Sequence, residues 1–441
     1  MPEVSPRPRR LLIVSPHFPP VNAPDMQRVR MSLPHFVSAG WEVTVLAADD
    51  TEPMAPVEPA LLDTIPAAVR VVRIRCLKRS WTGFLGFNNL GWRMLPHLWR
   101  TGGKLIREWR PDVVYFSTTM FIVMPLGRVW RRRFGVPYVI DLQDPWVSDY
   151  YDQPGAPRPP GGWKYLFASA AARLLEGWTL SGAAHIISVS ERYLDDLARR
   201  YLWWTADRGS VLTFGAPDDD LPFARRLAQS APPLLPASRG VRIAYAGRLG
   251  PDMLPALEVL FAAIARQKDS PKPVDVYFFG TSYAPANQAT RTTSECARRH
   301  GIGHLVHEKP ARIGYLDALR ILLETDLALL LGSEDTGYSP SKVYPTLLAA
   351  KPTIAIAPAT SVLEQKIREL GGAALVTFRL GPAGDPAAVD RLSELLAGFR
   401  QPAVGPFGPP ADLPRLQGRY GSRAIAERQL KIFDSVAATV L

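Results

Sequence analysis

The amino-acid sequence predicts an α/β protein built from two doubly wound, Rossmann-like domains, and three observations lead to this prediction. Short apolar runs of strand type alternate with amphipathic helical patterns along most of the chain. With 441 residues, the chain is too long for a single hydrophobic core. The alternation stops at residues 218–240, which are rich in Pro, Ala and Arg, and then restarts. Two successive runs of βα units are expected to face each other across a ligand-binding cleft.

The predicted domains are an N-terminal Rossmann-like domain over residues 1–215 and a C-terminal Rossmann-like domain over 216–419. Residues 420–441 form a last helix that is expected to return to the first domain. The hinge is placed across residues 218–240. Predicted strands of the first domain are 11–15, 42–47, 69–75, 112–117, 138–142, 185–190 and 210–214. Predicted strands of the second domain are 241–247, 275–280, 304–308, 326–332, 353–358 and 373–378.

The amino-acid composition favours some classes of partner and excludes some classes of protein. The net charge of +11 and the pI near 9.7 favour an acidic partner, such as a phosphorylated substrate, an anionic membrane surface or nucleic acid. The absence of zinc-finger and RNA-binding sequence signatures argues against nucleic acid. Two cysteines exclude a disulfide framework, and no CxxC pattern indicates zinc. Without a signal-peptide pattern or an 18-residue apolar window, we expect a cytoplasmic protein.

The strongest local pattern lies at residues 333–352, SEDTGYSPSKVYPTLLAAKP. A polar loop follows one buried strand and runs into a short helix, which is the arrangement that binds anions in open α/β sheets. Either Ser339 or Ser341 is a suitable cap for that helix, and Lys342 adds a positive charge. An ordinary strand–loop–helix connection is the alternative interpretation.

A second candidate site follows the first strand. The loop at residues 16–24 and the start of the next helix offer Asn22, Gln27 and Arg28 to a ligand, or simply to solvent. Asp25 is interpreted as the cap of that helix. Farther along, the segment DLQDPW places Asp141 and Asp144 at the carboxyl end of a strand. There they serve either acid/base and hydroxyl-binding roles or backbone capping.

Residues 78–110 differ in composition from the rest of the chain, because tryptophans and phenylalanines interleave with lysines and arginines. This pattern is typical of an element that lies on an anionic membrane surface. Core packing explains some of the aromatic residues equally well. The predicted location is therefore cytoplasmic with a peripheral contact at the inner face of the membrane.

Five segments together resemble the GT-B glycosyltransferases, and within them the large family-four class of retaining enzymes. In chain order they are LLIVSPHFPPVNAPDMQRVR, VPYVIDLQDPW, AHIISVSERYLDDL, IAYAGRL and SPSKVYPTLLAAKPTIAI. The matches extend from about residue 11 to residue 378. The resemblance implies an acceptor site on the first domain and a nucleotide-sugar site on the second.

The resemblance also implies roles for individual residues. Arg248 matches the family's arginine that contacts the donor diphosphate. Lys342 lies in the motif variant Pro-Ser-Lys and supplies the second positive charge. The family's usual glutamate pair falls on Gly337 and Pro345, so Glu334 and Asp335 are hypothesised to substitute. The donor-binding set implied in this way is Gly247, Arg248, Glu334, Ser339, Ser341, Lys342 and Tyr344.

The predicted reaction is transfer of a hexose-type sugar from a nucleotide-diphosphate sugar to a saccharide or lipid-linked acceptor, without metal or other cofactor. Asp144, Arg248 and Lys342 are the predicted catalytic residues. Acceptor binding is assigned to Asn22, Gln27, Arg28 and Asp141. Neutralisation of the leaving diphosphate by two cations and a helix terminus makes a metal unnecessary. Sugar-nucleotide epimerisation and a non-catalytic GT-B protein are the alternative functions.

Overall fold

The computed structural model describes residues 7–82, 88–147, 163–282, 291–335, 341–381, 384–400 and 407–439, with the side chains of 163–168 left aside. The chain divides into two compact units. The first unit comprises Met1–Gly215 together with Arg423–Leu441, and the second comprises Ala216–Ser422. Each unit contains one parallel sheet with helices. The predicted α/β class with two doubly wound sheets is confirmed.

The first unit is built on a seven-stranded parallel sheet with the order β3-β2-β1-β4-β5-β6-β7. Its central strands are almost continuously apolar, because a parallel sheet is covered on both faces. Alternate residues divide between two hydrophobic clusters, so Leu12 and Val14 face one cluster while Leu11 and Ile13 face the other. The strands are β1 Arg10–Val14, β2 Glu42–Asp49, β3 Arg70–Arg75, β4 Val113–Ser117, β5 Tyr138–Leu142, β6 His185–Ser188 and β7 Gly209–Val211.

The helices of the first unit cover these two clusters. Pro24–Met26 forms a 3₁₀ turn before the first helix, and Phe121–Val123 forms another before the fourth. The helices are α1 Gln27–Ser38, α2 Arg79–Thr82, α3 Leu90–Trp109, α4 Pro125–Phe134, α5 Trp163–Ser181 and α6 Glu191–Arg200. The stretch predicted as a basic aromatic surface therefore contains a long amphipathic helix, α3. It buries Met94 and Leu98 while Trp99 stays exposed.

The second unit is built on a six-stranded parallel sheet with the order β10-β9-β8-β11-β12-β13. Apolar residues again alternate between clusters, so Ile243 and Tyr245 face the largest one while Ala244 faces another. The strands are β8 Val241–Ala246, β9 Val274–Phe279, β10 Val306–Lys309, β11 Leu327–Leu331, β12 Thr353–Pro358 and β13 Ala374–Phe378.

The helices of the second unit include one in the stretch where the hinge was predicted. Residues 220–230 form α7, which buries Leu221 and Ala224 against Leu319 and Leu322 in an apolar cluster. The Pro- and Arg-rich composition concealed this apolar face in the sequence. The helices are α7 Asp220–Ser230, α8 Leu254–Ala265, α9 Thr293–Arg299, α10 Tyr315–Glu324, α11 Val343–Leu348, α12 Val362–Leu370, α13 Pro386–Phe399 and α14 Leu413–Tyr420.

The last helix, α15 Ser422–Ala438, lies almost entirely in the first unit. Phe433 is fully buried, and its ring meets those of Phe36, Trp41 and Tyr115 at centroid distances of 5.7, 6.1 and 5.0 Å. Gln429 is also buried and donates to Tyr115 Oη at 2.9 Å. Residues from the end of the chain therefore complete the core of the first unit.

Candidate functional site

The second unit has its topological switch point between β8 and β11. From β8 the strand order runs to β9 and β10 on one side and to β11, β12 and β13 on the other. Ligands of open α/β sheets bind outside the carboxyl ends of the strands at such a point. The loop after β8 carries Arg248, and the segment after β11 begins with Ser333. The two sequence segments predicted to bind the donor thus belong to adjacent strands.

Asp252 holds Arg248 in place. The guanidinium donates to both carboxylate oxygens, with Nη2 2.6 Å from Oδ1 and Nη1 3.1 Å from Oδ2. Ser333 Oγ donates to Oδ2 at 2.6 Å, so the same carboxylate also links the loops after β8 and β11. Burial alone would raise the pKa of Asp252, but the hydrogen bonds from Arg248 and Ser333 outweigh it and lower the pKa. The carboxylate stays ionised and fixes the arginine.

Sequence reasoning missed Asp252, although a signal for it existed. An arginine and an aspartate four residues apart, flanking Gly250 and Pro251, are spaced for pairing across one turn. The pairing with Ser333 had no comparable signal, because 81 residues separate the two side chains.

Lys342 is half-buried in the second unit, with its ammonium group against the loop after β8. Nζ donates to Tyr245 Oη at 2.7 Å and to the Arg248 carbonyl oxygen at 3.1 Å, and it lies 4.4 Å from the centre of the Tyr245 ring. Burial lowers the pKa of Lys342, the positive charge of Arg248 lowers it further, and Asp252 only partly offsets them, which leaves a pKa of about 7. The structure therefore places Lys342 against the backbone of Arg248, the other residue predicted to contact the donor diphosphate.

Gly247 allows this close approach. Its φ of +130° lies in a region that side chains rarely adopt. A Cβ atom on Gly247 would lie 2.3 Å from Lys342 Cε and 2.5 Å from Nζ. Any other residue here would carry a strained backbone and would push the end of the lysine side chain aside.

The other predicted donor-binding residues occupy different environments. Glu334 is exposed, and its backbone N–H donates to the Asp252 carbonyl oxygen at 2.9 Å. Ser341 is exposed but does not cap α11, because Lys342 occupies the N-cap position and no side chain bonds there. Tyr344 is buried and stacks on Tyr420 with a centroid distance of 4.6 Å. Ser339 lies outside the described residues. The donor-binding roles of these residues stay predictions.

In the first unit the switch point lies between β1 and β4, and Asp25 connects the two loops there. Asp25 Oδ1 lies 2.9 Å from His17 Nδ1. Its Oδ2 accepts hydrogen bonds from Thr118 Oγ1 at 3.1 Å and from the Thr119 backbone N–H at 3.2 Å. Burial would raise the pKa of Asp25, but the hydrogen bond and charge of His17, with the donors on Thr119 and Thr118, lower it overall. Asp25 does not cap α1, contrary to our prediction.

Two of the predicted acceptor-binding residues are buried together in the first unit. Arg28 and Asp141 are 1% and 0% exposed, and Arg28 Nε lies 2.9 Å from Asp141 Oδ2. Arg28 also donates to the backbone carbonyls of Leu212 and Thr213. The carboxylate of Asp141 accepts from Ser117 at 2.8 Å. These contacts connect β5 with α1 inside the core.

The other residues predicted for the acceptor side, Asn22, Gln27 and Asp144, lie closer to the edge of the sheet. Asn22 is buried and donates to Glu58 at 2.9 Å, while Gln27 donates to Asn22 at 3.4 Å. Asp144 is exposed after β5, and partial burial together with the negative charge of Asp25 raises its pKa. The acceptor-binding and catalytic roles predicted for these residues stay predictions. Sequence reasoning missed His17 as a partner of Asp25, although His17 falls in the loop at residues 16–24 and Asp25 follows that loop directly.

One group of potential metal ligands occurs within the described residues, on helix α8 and at the C-terminal end of α9. The ligand atoms of Glu258, Cys296 and His300 lie within 4.8 Å of one another. Glu258 already pairs with His300 at 2.6 Å and with Arg299. Burial and the neighbouring Glu258 raise the pKa of the Cys296 thiol to about 12. These residues belong to helices, whereas Arg248 and Lys342 belong to the loops beyond β8 and β11.

Comparison with known proteins places this geometry in context. Residues 27–215 match the family described as glycosyl transferase 4-like domain. No curated protein sequence matches the chain. None of the helices in the described part of the chain is long and apolar enough to cross a membrane.

Solved structures resemble the chain over nearly its whole length. Sucrose-phosphate synthase from Thermosynechococcus elongatus has a TM-score of 0.61 and 16% identity, covering 98% of this chain and 100% of that one. Anabaena HepE in complex with UDP and glucose has a TM-score of 0.55 and 13% identity, with coverages of 97% and 100%. The catalytic domain of starch synthase IV from Arabidopsis thaliana, bound to ADP and acarbose, has a TM-score of 0.55 and 10% identity, with coverages of 98% and 99%. Residues 27–215 match the glycosyl transferase 4-like domain family, and over nearly its whole length the chain shares the GT-B fold of these solved structures.

Proposed function

We propose that the enzyme transfers a hexose from a nucleotide-diphosphate sugar to a saccharide or lipid-linked acceptor, with retention of configuration and without a metal ion. We assign the reaction to the synthesis of cell-surface polysaccharide or glycoconjugate. The observation that carries the proposal is the adjacent placement of Arg248 and Lys342 at the switch point of the second unit. Arg248 and the protonated form of Lys342, beyond the carboxyl ends of β8 and β11, suit an anionic diphosphate.

The chemistry requires little more than these groups. As the bond between the sugar and the diphosphate breaks, negative charge grows on the leaving oxygen, and fixed positive groups stabilise it. Asp252 fixes Arg248, and the hydrogen bonds to Tyr245 and to the Arg248 carbonyl oxygen fix Lys342, so neither group must be reorganised during the reaction. Asp144, with its raised pKa, is proposed to act on the acceptor side of the reaction.

Similar structures support a nucleoside diphosphate in this role. HepE is described with UDP and glucose, and starch synthase IV with ADP and acarbose. The two differ in their nucleotide base, so the proposal for this chain extends to a nucleoside diphosphate hexose and leaves the base to experiment. Retention follows the expectation from the family-four resemblance.

A binding and transfer screen tests the proposal. Purified protein is titrated with UDP-, ADP- and GDP-hexoses by calorimetry, and each binding donor is then assayed with octyl hexosides as acceptors. We expect binding of one nucleotide class, loss of that binding in Arg248→Ala, and transfer that persists in EDTA. The anomeric configuration of the product, read by proton NMR, is expected to match that of the donor. No binding of any nucleotide sugar, or an inverted product, would contradict the respective part of the proposal.

We further propose that α3 and the residues before it contact an anionic membrane surface, where a lipid-linked acceptor resides. Trp81, Trp92 and Trp99 are 71%, 39% and 47% exposed, which is unusual for so large an apolar side chain. Exposed Arg100 and Lys104 lie on the same helix as the last two. Tryptophan beside basic residues is suited to the boundary between headgroups and acyl chains.

Vesicle sedimentation tests this contact. The triple variant with Trp81, Trp92 and Trp99 changed to Ser is expected to lose binding to vesicles containing phosphatidylglycerol while keeping its melting temperature. Leu202→Ser is the matched control, because Leu202 is a fully exposed apolar residue elsewhere in the same unit. Equal sedimentation of the triple variant and the control would remove the membrane contact from the proposal.

A further inference from the structure

We propose that His17, oriented by Asp25, is the residue that accepts a hydrogen bond from the acceptor's reacting hydroxyl group. The inference rests on the proposed glycosyl transfer and names a residue of its acceptor site. The first evidence is the position of His17 in the fold. His17 follows β1 directly, and Asp25 joins it to Thr118 and Thr119 beyond β4, so the pair lies at the switch point of the first unit.

The hydrogen bonds of Asp25 determine which imidazole nitrogen carries the proton. Asp25 is 4% exposed, its Oδ2 is held by Thr118 and Thr119, and its Oδ1 faces His17 Nδ1 at 2.9 Å. An ionised carboxylate only accepts hydrogen bonds, so Nδ1 must be the donor. The neutral ring then presents Nε2 as a hydrogen-bond acceptor, which is the complement of a sugar hydroxyl.

The loop that carries His17 is held on both sides. Ser15 Oγ donates to the His17 carbonyl oxygen at 2.9 Å, and the next residue, Phe18, is 1% exposed. Farther along the loop, the Asn22 backbone N–H donates to the Pro56 carbonyl oxygen at 2.8 Å. A binding group on such a fixed loop loses little freedom when it engages a ligand.

His17 also differs from the acceptor residues that the sequence suggested. Arg28 and Asp141 are buried against each other, and Arg28 donates to two backbone carbonyls inside the core. The His17 side chain keeps 20% of its surface. Within the described residues, no hydrogen bond engages its Nε2 atom. Exposed Asp144 lies close enough for the charge of Asp25 to raise its pKa, so a second polar group borders the same edge.

The first test is direct and does not require activity. In protein labelled with ¹⁵N-histidine, the ring nitrogens of His17 are assigned by comparison with His17→Gln. We expect a proton on Nδ1 and an unprotonated Nε2 in the neutral ring, and we expect Asp25→Asn to abolish this preference. A neutral ring that carries its proton on Nε2 would overturn the proposal.

The second test separates acceptor binding from donor binding, using the nucleotide sugar identified by the donor screen and octyl hexoside acceptors. His17→Phe removes the accepting nitrogen and is expected to lower kcat/KM for the acceptor about tenfold or more, as for the loss of one hydrogen bond. Donor affinity by calorimetry and slow hydrolysis of the donor by water should stay unchanged. His17→Gln, which keeps an accepting oxygen, should recover part of the loss. His97→Phe on α3 is the matched control.

The outcomes distinguish this inference from the proposed function. If the wild-type protein binds no nucleotide sugar, the proposed function fails, whatever the tautomer of His17. If wild type transfers sugar and His17→Phe does so with unchanged acceptor kinetics, the inference alone fails. Equal losses of donor and acceptor affinity in His17→Phe would also overturn it, because they indicate a purely structural role. Should His17→Phe not fold, Asp25→Asn carries the same comparison, because it is expected to place the proton on Nε2 and so remove the accepting nitrogen.

Discussion

Binding of a nucleotide sugar should draw a proton onto Lys342. In the ligand-free protein the pKa of Lys342 is about 7, because burial and Arg248 both disfavour the ammonium form. A diphosphate beside Nζ favours that form, and its negative charge should return the pKa toward the ordinary value near 10.5. Binding and protonation are therefore coupled above neutral pH.

The size of the effect follows from these two pKa values. A group with a pKa of 7 is about half protonated at pH 7 and about 1% protonated at pH 9. If the complex requires the ammonium form, affinity should fall about fiftyfold between these pH values, which corresponds to about 2.3 kcal/mol. At pH 8 the complex should take up about 0.9 proton, and at pH 6 about 0.1.

Calorimetry in buffers of different ionisation enthalpy measures this proton uptake. A nucleotide sugar is the better ligand, since a free nucleoside diphosphate has a terminal phosphate that titrates near pH 6. Lys342→Met should bind more weakly at pH 7 and show no uptake at pH 8. Lys268→Met, which removes an exposed lysine of the same unit, should behave like wild type. Equal uptake in wild type and Lys342→Met would refute the assignment of the proton to Lys342.

Two further predictions concern folding stability, each measured by denaturant unfolding. Gly247→Ala places a Cβ atom against Lys342 at a residue with a φ of +130°, so it should lower the free energy of unfolding by about 2–3 kcal/mol and weaken donor binding. Gly398→Ala in α13 is the control, because its Cβ meets no atom within 4 Å and should not lower the free energy of unfolding. An unchanged midpoint in Gly247→Ala would contradict the close packing. Asp141→Ala leaves the buried Arg28 without the carboxylate that pairs with it and should lower the free energy of unfolding by about 3–5 kcal/mol. Glu108→Ala, which removes the exposed pair with Lys104, should lower it by less than about 0.5 kcal/mol. Equal costs for these two variants would show that the buried pair contributes little.

Local patterns explain why most strands could be predicted. The run at 138–142 coincides with β5, and the run at 112–117 differs from β4 by one residue, because an apolar run bounded by polar residues is visible within a short window. The amphipathic helices α3 and α7 were harder to predict, because prolines and arginines interrupt their apolar faces. The α/β class could be predicted because it depends on the alternation of elements rather than on any single boundary.

The side-chain contacts of the candidate sites could not be predicted from such local patterns. Arg248 and Lys342 could be singled out by resemblance, but their approach depends on contacts between residues 94 apart in sequence. Asp25 was predicted to be a helix cap because it precedes an amphipathic run, whereas its partners Thr118 and Thr119, just after β4, lie more than 90 residues away. Side-chain pairs that span the sheet leave no periodic trace, so only three-dimensional structure shows them.

The helix at the end of the chain has a consequence for how the protein is made. The core of the first unit contains Phe433 and Gln429, which a ribosome adds more than 200 residues after β7. The second unit, by contrast, has all its strands by residue 378 and its last helix, α14, by residue 420. During synthesis the first sheet must therefore wait, with Phe36, Trp41 and Tyr115 uncovered, while the later unit is translated. A nascent chain stalled before residue 422 should accordingly bind chaperones through this face and release them only when α15 emerges.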